Sequence, residues 1–237
     1  MSVPVLAGIV ALLSACDGGG SGGPVASTPP PPVYTTLAAT SEAFAVSAAR
    51  LNYDRIGGAS TRTCSTSTPT PEFSYDTATQ TYSVRGVAVS GSTKPIQQDF
   101  GPADLVAGSP GQYDKTTGAN GDTIIDRLTV APAGITLTYA ALGHWTTGAT
   151  SANGDQSFAD FYFSYGVRTT PGDAPTTGTI DSTRAGFTST IAGNGFSGTA
   201  SGLFYGPQAA EAGGVFVIND DASGNVAAAG ALIGRKN

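Results

Sequence analysis

Charge is scarce in this chain. Only 12% of its 237 residues are Asp, Glu, Lys or Arg, and 11 basic residues stand against 17 acidic ones for a formal net charge of -6. No basic cluster is present to follow a phosphate backbone, which argues against a nucleic-acid partner. Histidine occurs once, as His144, so a His-rich metal site is impossible and any nucleophile-histidine-acid arrangement would rest on that residue alone. No cofactor and no metal are expected. No apolar run reaches the roughly 20 residues a membrane-spanning helix needs. What is abundant is small: 33 glycines, with Thr, Ser and Ala, the composition of a secreted β protein rather than of a helical enzyme.

The longest apolar run, Val3 to Leu13, ends in Leu13-Ser14-Ala15-Cys16. Its length and the small residues after it read as the hydrophobic region of a signal peptide with its cleavage site. Leu-Ser-Ala-Cys resembles the bacterial lipobox, in which lipid is attached to the cysteine, here Cys16, and the signal, residues 1–15, is removed ahead of it. Met1 to Ala15 contain no Lys or Arg, which leaves the true start codon open. With Cys16 lipidated, Cys64 has no partner for an intrachain disulfide and reads as a bystander. Asp17 to Gly23 is then flexible coil and Pro29 to Pro32 stiffen the chain towards polyproline II, so residues 16–36 form a linker from the membrane to the folded part.

The spacing of Phe44, Ala48 and Leu51, with Glu42 early and Arg50 late, predicts a short helix from Thr40 to Leu51. Beyond it the period changes to two. Glu72 to Tyr75 and Thr81 to Val84 predict a hairpin around residues 76–80. Ile124 to Val130 is a further strand, and Ile135, Leu137, Tyr139 and Ala141 share one face of the next. Phe161, Phe163, Tyr165 and Val167 alternate with Asp160, Tyr162 and Ser164, which marks a strand with one buried face. Short strands continue near Gly178 to Arg184, Phe187 to Ile191, Gly195 to Ala200, Val215 to Ile218 and Val226 to Ile233. Gly193 to Gly198 matches G-x-G-x-x-G, but no helix signal follows, so it is not read as a dinucleotide site. Many short, evenly spaced strands predict a sandwich or barrel, and closure is the solution that leaves no edge exposed.

Gly202-Leu203-Phe204-Tyr205-Gly206-Pro207-Gln208-Ala209-Ala210-Glu211-Ala212-Gly213-Gly214, then a strand, then Gly230 to Lys236, resembles the signature that closes the β-barrels of transferrin-binding protein B and its relatives. Tyr139 to Trp145 and Phe73 to Tyr82 resemble segments of the wider transferrin-binding protein-like lipoproteins. The resemblance implies a mainly β chain: an antiparallel barrel of about eight strands over residues 133–237, an N-terminal helix and hairpin segment over 37–132, and a lipid-anchored stalk. Strands from before Ile135 either complete the barrel or leave it incomplete. Physically, Gly206-Pro207 turns the chain out of a strand, Gly213-Gly214 returns it where another backbone lies close, and Glu211 hydrogen-bonds backbone in that connection.

The implied function is that of an outer-membrane, lipid-anchored binding protein, not an enzyme. It would capture an extracellular ligand, an iron-carrying protein, haem or a chelate, for an outer-membrane transporter. The alternative is a structural or interaction lipoprotein of the envelope with no nutrient ligand. Whether the domain faces the cell surface or the periplasm is open, because Asp17 after the lipidated cysteine resembles an inner-membrane retention signal of enteric bacteria. Recognition is expected on polar connections, Pro102 to Asp122 and Thr146 to Gln156, with Tyr113, Lys115, His144 and Trp145 as ligand-contacting candidates. The first connection ends, and the second contains, one of two Ala-Asn-Gly-Asp tips, which read as turns. His144 and Trp145 are placed at a strand end, as a rim.

Overall fold

The computed structural model describes residues 37, 43–65, 71–86, 96–119, 121–130, 137–170, 180–181 and 185–236, and these fall in one unit, Pro32–Asn237. The signal peptide, Cys16 and the linker to residue 36 lie outside the described residues. Fourteen antiparallel strands are described: β1 (Ala45–Ile56), β2 (Ala59–Ser65), β3 (Glu72–Asp76), β4 (Thr81–Gly86), β5 (Ile96–Phe100), β6 (Gln112–Ala119), β7 (Asp122–Val130), β8 (Ala140–Thr150), β9 (Gln156–Gly166), β10 (Ile180–Asp181), β11 (Gly186–Gly193), β12 (Phe196–Tyr205), β13 (Glu211–Asp220) and β14 (Val226–Arg235). They form a six-stranded sheet in the order β2-β1-β9-β8-β7-β6, a five-stranded sheet in the order β10-β11-β12-β13-β14, and a three-stranded sheet β3-β4-β5.

The core starts from β9. Phe161, Phe163 and Tyr165 alternate onto one face, as the sequence pattern predicts, and with Leu128, Val130 and Trp145 they meet Phe73, Val84 and Phe100 of the three-stranded sheet. The rings of Phe73 and Tyr165 pack edge to face at 4.7 Å, and those of Trp145 and Phe161 stack at 5.0 Å. Gly143 stands opposite Phe163, and a Cβ there would lie 2.3 Å from the ring, so glycine is what lets the phenyl group lie across β8.

The opposite face of β1, β8 and β9 is covered by the five-stranded sheet. Ala49 of β1 is fully buried against Val215 and Val217 of β13, with Ala229 and Ala231 of β14 packed alongside. The six-stranded sheet is thus the middle layer of three. The expected helix from Thr40 to Leu51 is not there: from Ala45 the chain is β1, paired with β9 from Ala45↔Gly166 to Arg55↔Gln156. Ser47 and Ala49 face one layer while Ala48 faces the other, and a strand of small residues buried on both faces shows no period-two contrast.

Closure into a barrel is not seen among the described residues. The two large sheets join at one corner, where Arg168 bridges Tyr205, Thr169 N–H donates to Phe204 O (3.0 Å) and Gly206 N–H donates to Val167 O (2.9 Å). At the far side, among the described residues, β14 pairs only with β13. Strands from before Ile135, namely β1, β2, β6 and β7, do join β8 and β9, but they extend the middle layer sideways instead of bridging it to β14. The hairpin predicted around residues 76–80 is β3–β4, and β5 adds a third strand to it. Residues 131–136 lie outside the described set, 137–139 form a bend rather than a strand, and β8 begins at Ala140. The G-x-G-x-x-G stretch is the β11–β12 hairpin, with Asn194 and Gly195 both at positive φ in its two-residue turn.

Candidate functional site

The four candidate residues fall on two faces of the middle layer. Tyr113 and Lys115 follow each other on one side of β6, in register with Leu128 and Asp126 of β7, which is the side covered by the three-stranded sheet. They are therefore on a strand. The connection expected from Pro102 to Asp122 reduces to a 3₁₀ turn, Pro102–Asp104, and short turns at either end of β6. The second expected loop likewise shrinks to residues 151–155 between β8 and β9.

At the rim of the three-stranded sheet, the rings of the cross-strand pair Tyr75 and Tyr82 pack at 4.5 Å, tilted by 35°, and Tyr113 closes on Tyr82 at 5.7 Å, edge to face. Phe100 lies behind Tyr113 at 6.3 Å. Burial, together with the neighbouring Tyr113 and Tyr75 phenols, pushes Tyr82 up to about 12, and burial with Tyr75 beside it raises Tyr113. These hydroxyls stay neutral and serve as donors and acceptors across the physiological range. Lys115 Nζ pairs with Asp104 Oδ2 at 3.3 Å and lies over the Phe100 ring at 5.8 Å. Three partly exposed, ring-locked tyrosines beside one ammonium make a rigid amphipathic patch, the side-chain chemistry that carries protein recognition at small entropic cost. Tyr75 and Tyr82 were not among the sequence candidates, although their mirrored positions around residues 76–80 place them opposite each other in any such hairpin.

His144 and Trp145 are in the middle of β8, not at its end, and their side chains point to opposite faces. Trp145 is fully buried between the middle and three-stranded sheets, which removes it as a ligand contact. Its indole N–H and Oδ1 of Asp126 are both buried with no partner in hydrogen-bond geometry. Burial pushes the Asp126 carboxyl up, and Thr147, the nearby indole and the charge of Lys115 offset this only in part.

His144 turns towards β14. Its ring stacks on Tyr162 at 4.5 Å, and Nε2 contacts Asp160 Oδ1 at 3.0 Å. Thr146 Oγ1 donates to the same carboxylate oxygen at 2.6 Å. Burial raises the Asp160 carboxyl, but the hydrogen bonds from His144 and Thr146 and the imidazole charge more than offset that and hold it below the usual carboxylate range. Histidine and hydroxyl converge on one oxygen, and although Thr146 Oγ1 also lies 3.4 Å from His144 Nε2, the hydroxyl directs its proton to Asp160 at the shorter distance. This differs from the order a nucleophilic triad requires. The group borders a cleft of about 160 Å³ lined by Thr129, Leu142, His144, Tyr162 and Ala231. Among the described residues no group of three or more His, Cys, Asp or Glu is placed to hold a metal ion.

The connection after β12 departs from expectation in one respect. Gly206, at φ +72, turns the chain into the 3₁₀ turn Pro207–Ala209, and Gly213 returns it so close to Ser164 that a Cβ would sit 2.7 Å from the serine Cβ. Glu211 is buried, yet its carboxylate bonds outside its own connection, accepting from Thr138 N–H and Tyr139 N–H at 2.8 Å each. It thereby fixes the bend that leads into β8. The Asn-Gly-Asp tips are structural too: Asp122 Oδ1 accepts from Ala152 N–H (3.2 Å) and Asp155 Oδ1 accepts from Gly57 N–H (2.9 Å), which ties three hairpin ends together.

Residues 129–236, from the end of β7 through β14, match the family described as the C-lobe and N-lobe beta barrels of Tf-binding protein B. That stretch of the chain is similar to the family. The match spans a little under half of the chain and includes the His144 cleft and the Glu211 connection, but not Tyr113 or Lys115. No curated protein and no solved structure matches the chain. Within the matched segment Tyr205, wholly buried, sends its hydroxyl to Ser164 O at 3.3 Å and so locks the two large sheets at their shared corner.

Proposed function

We propose that the chain is a lipid-anchored binding protein of the bacterial outer membrane that captures an extracellular protein or an iron or haem ligand for an outer-membrane transporter. The observation that carries this reading is the family match of residues 129–236, because the barrels it describes belong to a protein that binds Tf. Cys16 is the anchor and the Gly/Pro linker the spacer in this reading. The patch of Tyr75, Tyr82, Tyr113 and Lys115 is its contact surface, since it combines fixed aromatic rings with one cation at a partly exposed rim.

Two experiments test it. The full chain, immobilised, is exposed in turn to iron-loaded transferrin, haem and a ferric chelate, and binding of at least one is expected, weakened about tenfold or more in Tyr113→Ala. Absence of binding to all three favours the structural role in the envelope. In cells, Cys16→Ser is expected to release the protein from the membrane fraction, and protease added to intact cells is expected to remove the domain; retention of the variant at the wild-type level overturns the anchor.

A further inference from the structure

The outward face of the five-stranded sheet departs from what its place in the fold demands. An antiparallel sheet with one face on the core ordinarily turns polar side chains to water on the other. Here Val215, Val217, Ala229 and Ala231 point inward, to the middle layer, so the residues alternating with them point out. Between the row that ends on Ala228 and the row that ends on Gly234, the large outward side chains of β11 to β14 are Phe187, Ile191, Phe204, Phe216, Ile218 and Leu232. The other outward positions are glycine, alanine and Ser189, and none is charged. Leu232 is 42% exposed, the other five are half-buried, and no other described layer covers them. Phe187 fills the space over Gly202 and Gly214, and Phe216 the space over Gly230, so these rings pave the face instead of standing off it. A contiguous apolar surface of this kind marks an interaction site.

Charge, area and symmetry favour a second copy of this chain as the occupant. In a chain of net charge -6, a face without charge is one on which two copies meet without like-charge contact. The four strands, about 4.8 Å apart, and some 25 Å of strand length give roughly 500 Å² per copy. Two copies then bury roughly 1,000 Å², the lower bound for a specific interface, and nearly all of it is apolar. The two ends of β14 differ in sign: Asp220 and Asp221 open the turn before it, and exposed Lys236 follows it. A twofold axis running across the strands lays β14 antiparallel over the β14 of the other copy and sets each acidic end against a basic one. We infer that two copies of this chain pair face to face through the outward side of β11 to β14, about that axis. The tyrosine rim lies on the opposite outer layer and stays free in both copies.

The test is sedimentation equilibrium of the full chain carrying Cys16→Ser, which has no lipid to associate through. A monomer–dimer equilibrium is expected, with a dissociation constant on the order of micromolar. Leu232→Asp puts a carboxylate in water on the single copy but inside the paired face, so it is expected to weaken pairing at least about tenfold while the melting temperature of the dilute protein is unchanged. Ala228→Glu, at an exposed position of the same face, is expected to do the same and replaces the first variant if that folds poorly. Asp221→Lys and Lys236→Glu are each expected to weaken pairing about two- to fivefold, and their combination to restore it. The inference is overturned if the parent protein stays monomeric well above micromolar concentration, including the case in which it binds phosphatidylcholine vesicles instead. It is equally overturned if Leu232→Asp and Ala228→Glu both associate as strongly as the parent, as association through the N-terminal apolar run would, or if the combined charge exchange fails to restore pairing. None of these outcomes bears on ligand capture at the tyrosine rim.

Discussion

In the middle layer, β9 drives Phe161, Phe163 and Tyr165 into a core where all three are nearly or wholly without solvent contact, and each finds another ring within about 6 Å. In the five-stranded sheet the corresponding central rows are glycine. Phe187 lies over Gly202 and Gly214, and Phe216 over Gly230, on a face that no other described layer covers. The first sheet gains its stability from apolar area removed from water; the second gains much less and depends on aromatic rings shielding its own bare backbone. The comparison teaches where this chain tolerates change. The middle layer is a frame, and the glycine-rich sheet is a covering held to it by Tyr205, Glu211 and the Val215–Ala49 contact.

The comparison breaks most sharply at two phenylalanines. Phe163→Ala is expected to cost about 3–5 kcal/mol, the range for truncating a fully buried ring. Phe216→Ala, on the half-exposed face, is expected to cost about 1 kcal/mol. Denaturant unfolding with a common slope measures both, and similar losses would erase the distinction between frame and covering.

A smaller effect tests the tether. Glu211→Gln keeps the size of the side chain but turns one of two acceptors into a donor, so either Thr138 N–H or Tyr139 N–H loses its partner, at about 1–3 kcal/mol. Because that bend leads into β8, thermal unfolding of the variant is expected to lose cooperativity between the sheets before the middle layer melts.

The smallest effect is electrostatic and lies in the frame. Burial lifts the Asp126 carboxyl above its ordinary value, so the folded state binds its proton more tightly than the unfolded chain does. Its stabilising contribution is complete below the ordinary carboxylate range and is lost as pH rises through the raised value. Asp126→Asn is therefore expected to match the wild type in acid and to exceed it in stability at neutral pH. Equal pH profiles for the two proteins would show that the carboxylate finds a partner.

How far these regions could be read from sequence follows from the same contrast. The alternation of Phe161, Phe163 and Tyr165 with Asp160 and Tyr162 is unambiguous, and β9 lies where it is predicted. In β1 the run Ala45 to Ala49 is small and buried from both sides, so the spacing of Phe44, Ala48 and Leu51 imitates a helix. Trp145 reads as a rim residue beside His144 because its burial depends on Phe73, Val84 and Phe100, which are far away in sequence. Tyr113 and Lys115 keep their partial exposure, but the tyrosine patch takes shape only once β3–β4 docks against β6. Closure is inferred from edge avoidance, a general rule that says nothing about which strand meets β14.

Peptide-resolved amide hydrogen exchange on the intact chain tests the central division between frame and covering most directly. With β14 paired on one side only among the described residues, its outward N–H groups are expected to exchange rapidly while β8 and β9 exchange at the slow rate of global unfolding. Protection of β14 equal to that of β9 would mean that its free edge is covered, and the open pair of sheets described here would give way to a closed barrel.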